Sequence, residues 1–315
     1  MEFKKPIIVI SKCINIASVR YNGGIIKDDF VEKLMQFIEV IPVCPEVEIG
    51  MPIPREIVIL YKENNQIKMV EPKSKTDSTE KMDKFSYNFL KKLTKVDGFI
   101  LKSKSPSCGL KDTKIYKENL KEVINYRGNG LFASKVMECF SNLPVETENR
   151  LKNYWIRRDF LIKVFSLAEL RALEENFKNI NQLLDFHKNY KYLLMLYDTN
   201  KLKKMGSLLA NWKDLGLKGT AKTYCQLFKE TLSKKSNVSK HLNVIEHIYG
   251  HFKEKISLKE RKHILNMIDK FKNNKLELDS LLEYIKGFIY RFSDLYLESQ
   301  RYLFPYPEDL EKLKI

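Results

Sequence analysis

The chain has 315 residues, 43% of them apolar, enough for one large domain or two ordinary ones with sizeable cores. No window reaches the roughly 18 consecutive apolar residues of a membrane span. The opening MEFKKPIIVI is too short in its apolar run for a secretory signal, so a cytoplasmic protein without a membrane partner is expected. The formal charge of +16 is uneven: residues 1–146 carry 24 Lys+Arg against 19 Asp+Glu, and residues 147–315 carry 32 against 21. A basic second half suits a polyanion, nucleic acid before membrane, unless it is simply a lysine-rich solvated surface. Five cysteines at irregular spacing (13, 44, 108, 139 and 225) argue against a disulfide framework.

The first elements alternate. IIVIS after Pro6 reads as a strand, DDFVEKLMQFIE (28–39) as a helix and FIEVIPV (37–43) as a second strand, with the join between the two left open. VILYKENNQIKMV reads as a hairpin turning at Asn64-Asn65. STEKMDKFSYNFLKKL (78–93) sets Met82, Phe85, Phe89 and Leu93 on one helical face, with Asp77 or Ser78 as cap, and VDGFIL (96–101) is a third strand. This is the grammar of an α/β domain with a mostly parallel, Rossmann-like sheet. A break is expected near Leu143-Pro144, giving domains at 1–145 and 146–315. The second domain reads as all-α, with helical patterns at 153–174, 180–197, 238–255, 257–273 and 278–293.

Three strands run into cysteines: Cys13 after IIVIS, Cys44 after FIEVIPV and Cys108 in the loop after VDGFIL. In an open parallel sheet, ligands bind beyond the carboxyl ends of the strands. Three thiols converging there are either small buried hydrophobes or ligands. Three thiolates hold three irons of a 4Fe-4S cluster and leave one open, whereas full ligation takes four. No CxxC pair marks a structural zinc site. Glu46 beside Cys44 is a general acid or base, or a helix-end charge, and Ser105 and Ser107 are site groups or turn residues around Pro106. Cys139 and Cys225 sit inside helical patterns and read as core.

SKCINIASVRYNGG, PVCPEVEIGMPIPRE and DGFILKSKSPSCGL resemble, in order, the three motif blocks of the thiouracil desulfurase (TudS) family, over about residues 1–140. The resemblance implies a 4Fe-4S cluster ligated by Cys13, Cys44 and Cys108, with Glu46 and Ser105 as catalytic groups and Ser107 unassigned. The later stretches ENRLKNYWIRRDFLIKVF, DFHKNYKYLLM, HLNVIEHIYGHFK and QRYLFPYP resemble the YbgA-like domain. Chains with both domains are similar to the RudS-type tRNA 4-thiouridine desulfidases. That implies non-redox, hydrolytic removal of sulfur from 4-thiouridine in tRNA. NYWIR departs from the turn many relatives have between the arginines. The alternatives are a desulfidase of free thiouracil or another small thiolated base, and a non-enzymatic iron–sulfur RNA-binding protein.

For RNA, the sequence offers Arg150, Lys152, Tyr154, Trp155, Arg157 and Arg158 as one mixed cationic and aromatic segment, and His187, Lys188 and Lys191 as a second. The competing reading makes the aromatics core and the cations solvated. His247 and His251, four apart, lack the carboxylate of a HExxH motif and read as ordinary surface or core histidines.

Overall fold

The run Ile7–Ser11 has no charged side chain and a nearly complete burial pattern, as expected of a strand covered on both faces. In the computed structural model, which describes residues 2–311, it is β1, at the centre of a parallel sheet. The chain continues through α1 (Asp29–Leu34), β2 (Glu39–Val43), α2 (Pro45–Glu48), β3 (Ile59–Glu63), β4 (Gln66–Val70), α3 (Thr79–Lys92) and β5 (Gly98–Leu101). It goes on through β6 (Thr113–Tyr116), β7 (Val123–Gly128), α4 (Leu131–Cys139), β8 (Val145–Thr147) and α5 (Tyr154–Asn176).

Two four-stranded sheets result. The first, ordered β2-β1-β5-β8, is parallel throughout, with Ile8 opposite Val40 on one side and Gly98 on the other. The second, ordered β4-β3-β6-β7, is mixed. Its β3–β4 hairpin turns on Asn64 and Asn65, both at positive φ, the backbone that a tight two-residue turn needs. The helix expected over 28–39 stops at Leu34; Asp28 caps it by accepting from the Val31 N–H, and β2 begins at Glu39.

A core forms from Val9, Phe99 and Leu101 of the first sheet, Leu60 and Met69 of the second, Met82 and Leu90 of α3, and Phe132 and Val136 of α4. Phe85, Phe89 and Leu93 pack against it, the helical face expected from their spacing. Complete burial of Phe99 and Phe132 contributes roughly 1.5–3 kcal/mol each. Cys139 departs from expectation. It is the last residue of α4, and it is exposed.

The chain forms two compact units, Met1–Ala168 with Asp309–Ile315, and Glu169–Glu308. The division lies within α5 and not at the expected 145/146 break. The reason is that β8 supplies an edge strand to the parallel sheet and that α5 is buried nearly all round from Arg157 to Ala168. The second unit is helical: the end of α5, then α6 (Ile180–Tyr197), α7 (Thr199–Ala210), α8 (Trp212–Leu232), α9 (Val238–Tyr249), α10 (Leu258–Lys272), α11 (Leu278–Phe292) and α12 (Leu295–Glu298). Asn179 and Ser257 close capping boxes on α6 and α10. Buried aromatics fill it; Tyr190, Tyr224 and Phe228 pack with Phe186. Among the described residues, no helix is long and apolar enough to cross a membrane. The architecture is α/β followed by all-α.

Candidate active site

The carboxyl ends of β1, β2 and β5 open into one cavity of about 330 Å³. Cys13 enters it two residues past β1, Cys44 one residue past β2, and Cys108 from the loop after β5. The sequence separates these cysteines by tens of residues, and the parallel register brings them together. All three are buried, with 9%, 8% and 4% of their surface exposed.

Each thiol is placed by its backbone. Asn15, at positive φ, bridges the strand-end loop to Asp28, its Nδ2 donating to the Asp28 carbonyl (2.6 Å) and its Oδ1 accepting from the Asp28 N–H (2.9 Å). Cys44 is the N-cap of α2, with Pro45 at the first helical position. The Cys108 loop is held by the start of α4. Leu131 N–H donates to the Pro106 carbonyl (3.0 Å), Ala133 N–H to Ser107 (3.0 Å) and Gly130 N–H to Gly109 (2.8 Å). Thus donors left over at a helix start satisfy the loop's carbonyls. Only glycine tolerates the approach. A Cβ at Gly130 would lie 2.3 Å from the Ser107 carbonyl carbon, and one at Gly109 would lie 2.0 Å from Thr113 Oγ1.

Burial and mutual proximity disfavour three thiolates. Burial, then the neighbouring Cys44, pushes the Cys13 thiol up to about 12. Cys108 is raised well above the usual thiol value by burial, against a hydrogen bond from Ser11. Cys44 is raised by burial, opposed by the Val47 N–H of α2. Three buried thiols, two of them raised further by neighbouring cysteines, need an added positive charge to ionise, and a bound metal supplies it. Among the described residues, no three His, Cys, Asp or Glu side chains come together around a single ion. The donor set, three sulfurs spread around one cavity with no fourth cysteine among its lining residues, fits a 4Fe-4S cluster better than a zinc ion.

Glu46, in the first turn of α2, lies on the same cavity. Its Oε1 accepts from Ser107 Oγ in a short hydrogen bond and from Ser105 Oγ at 3.4 Å. Its Oε2 accepts from Arg55 Nε (3.0 Å) and Nη2 (2.5 Å). Ser105 also shapes the ligand loop, its oxygen accepting the N–H groups of Ser107 and Cys108, both at 3.2 Å. The sequence left Ser107 unassigned; in the fold it is completely buried against Glu46. Arg55 was missed, because a separation of nine positions from Glu46 suggests no contact until the loop folds back.

Lys102, Ser103 and Glu148 form a further buried knot. Lys102 Nζ meets Glu148 Oε1 at 2.7 Å, and Ser103 donates both its N–H (2.8 Å) and its hydroxyl (2.6 Å) to that carboxylate. This ties the β5 end to the β8 end beside Cys13. Arg20, Tyr21, Ile57 and Lys104 also line the cavity; Tyr21, Ile57 and Lys104 are exposed and Arg20 half-buried.

The residues expected to meet RNA fall in both units. Arg150 and Lys152 are exposed, Arg150 paired to Glu146 at 2.6 Å, and Trp155 is 39% exposed with Tyr154 set against it edge-on. Arg157 and Arg158 are buried, Arg157 over the Phe30 ring and Arg158 facing Glu311, so these two brace α5 and present no cationic surface. In the helical unit, Lys188 and Lys191 are exposed on α6. His187 is half-buried with Nδ1 3.1 Å from Tyr224 Oη, and burial, aided by Lys191, lowers its pKa to about 4.

Residues 8–148 match the 2-thiouracil desulfurase family, and residues 191–307 match a family described as a protein of unknown function (DUF1722). The uncharacterized protein YbgA of Escherichia coli (strain K12) is 30% identical over 150 residues, covering 47% of this chain and 88% of that protein. A solved structure of the 4Fe-4S-dependent thiouracil desulfidase TudS is 26% identical, covering 47% of this chain and 93% of that one, with a TM-score of 0.39. The cavity with its three cysteines and Glu46 lies wholly inside the first matched segment. The chain belongs to the YbgA family and joins a 2-thiouracil desulfurase domain to a DUF1722 domain.

Proposed function

We propose that this protein removes sulfur from 4-thiouridine in tRNA, giving uridine and hydrogen sulfide with no net electron transfer. The observation that carries the reading is the meeting of three buried thiols and a hydrogen-bonded carboxylate in one cavity at the ends of parallel strands. Cys13, Cys44 and Cys108 would hold a 4Fe-4S cluster. When bound, it supplies a Lewis-acidic iron that polarises the carbon–sulfur bond.

The chain's own residues do the rest. Glu46 takes a proton from the water that attacks C4 and returns it to the departing sulfur, so a thiocarbonyl and water become a carbonyl and hydrogen sulfide. The Ser107 hydroxyl fixes one oxygen of its carboxylate. Ser105 holds the Cys108 turn and reaches the same oxygen of Glu46 as Ser107 does. Exposed Arg150, Lys152, Trp155, Lys188 and Lys191, with the excess positive charge of residues 147–315, support a role in holding the tRNA.

Free thiouracil is a second reading, favoured by the description of the matched family. Anaerobically reconstituted protein should convert 4-thiouridine in tRNA faster than it converts 2-thiouracil at equal concentration. Conversion of the free base alone would decide for the second reading.

A further inference from the structure

Arg55 lies outside the set of groups that the desulfuration reading needs, yet it is among the most constrained side chains around the cavity. Its side chain is 3% exposed, and its donors all point inward. Nε and Nη2 converge on one oxygen of Glu46 at 3.0 and 2.5 Å. Nη1 donates to the carbonyls of Val19 (3.1 Å) and Pro52 (3.4 Å). Its backbone N–H donates to the Tyr21 carbonyl at 2.8 Å. One residue therefore joins the loop after β1, the first turn of α2 and the segment following that helix. The Val19 carbonyl that it holds lies 4.0 Å from Cys44 Sγ.

The division of Glu46's two oxygens is the informative feature. Oε2 takes both arginine donors and Oε1 takes the serine hydroxyls. A carboxylate gripped at both oxygens cannot rotate about its last torsion. A surface ion pair of this type is worth little. This one is buried, and a buried cation that met only carbonyls would be left uncompensated. The arrangement suits a group that must stay at one angle to a reacting atom, where a displacement of about 1 Å costs on the order of a hundredfold in rate.

We infer that Arg55 is the positioning residue for Glu46: it sets the angle of the catalytic carboxylate without itself touching substrate. This rests on the desulfuration reading for the word catalytic, though not for the pairing. Lysine is a poor substitute. Its ammonium is a point charge on a flexible stem and cannot grip the Glu46 oxygen and the Val19 and Pro52 carbonyls in one plane.

The test uses full-length protein in two arms. In the protein without iron, the Arg55 Nε–H resonance in nitrogen-15 NMR should stand apart from the other arginines and exchange slowly. It should collapse into their envelope in Glu46→Gln. A resonance indistinguishable from solvated arginine in the unsubstituted protein overturns the pairing. In anaerobically reconstituted protein, Arg55→Ala should keep the iron content and visible absorbance, leave KM within about twofold and lower kcat about a hundredfold. Arg55→Lys should recover less than a tenth of the loss, and guanidinium added to Arg55→Ala should recover more than lysine does. Unchanged kcat in Arg55→Ala overturns the inference, as does loss of iron together with kcat, which would make Arg55 a brace for the ligand loops. If the unsubstituted protein turns over no thiolated base while the resonance behaves as expected, the desulfuration reading fails and the pairing stands.

Discussion

The two units place their candidate functional charges differently. In the α/β unit, charged side chains that matter are buried and paired: Glu46 with Arg55, Lys102 with Glu148, and Arg157 and Arg158 along α5. In the helical unit, aromatic side chains fill the interior and the candidate cations Lys188 and Lys191 stay in water. Buried pairs hold geometry and are costly to break singly, whereas solvated cations act through phosphate neutralisation and are individually weak. On the proposed reading the chemistry falls to the first unit and substrate capture to exposed cations of both, and substitutions should separate the two roles.

The largest effect should come from the thiols. Alanine at Cys13, Cys44 or Cys108 should remove the visible absorbance and all turnover while leaving tRNA binding intact; Cys108→Ala with both properties retained would sink the ligand assignment. Next, Glu46→Gln should keep the iron and lose about 10²–10⁴-fold in kcat. A Gly130→Ala chain tests the support of the Cys108 loop. Its new methyl meets the Ser107 backbone, so about 1–3 kcal/mol of stability and part of the bound iron should go, as read by thermal unfolding and iron per chain. In the helical unit, Lys188→Glu with Lys191→Glu should raise KM for tRNA without changing kcat. It should also flatten the slope of log affinity against log salt by about one per lysine. Equal slopes would remove α6 from the RNA face.

The smallest effect concerns His187. Its folded pKa of about 4 lies below the usual value near 6.5, because burial and Lys191 disfavour the cation. A depressed histidine contributes stability above its unfolded pKa, and that contribution is lost as pH falls from about 6.5 through 4. Thermal unfolding followed over this window should show a shallower decline in His187→Asn than in the unsubstituted protein.

Much of the cavity was legible in the sequence because fully buried parallel strands read as plain apolar runs, and three of the first sheet's strands end in cysteines. The second sheet was less legible. The hairpin was visible through Asn64-Asn65, yet β6 and β7 are short, half solvated and broken by a register shift, so neither shows a clean alternation. The helical pattern around Cys225 proves to be part of α8, a helix kinked at Gly216 with a positive φ. Arg157 and Arg158 looked like surface charge and are interior, since a sequence shows how many cations a helix has but not what covers them. Arg55 and Ser107 acquire meaning only when the loops around Glu46 close. A chain cut at residue 145, the break expected from Pro144, would take β8 and α5 from the α/β unit, so the division of labour is better tested by point substitutions.

The most direct test is anaerobic incubation of the iron-loaded, full-length protein with bulk tRNA, followed by nucleoside analysis. Disappearance of 4-thiouridine with matching gain of uridine and release of sulfide, absent in Glu46→Gln, is the predicted result. Intact 4-thiouridine in the presence of a fully loaded cluster would contradict the account.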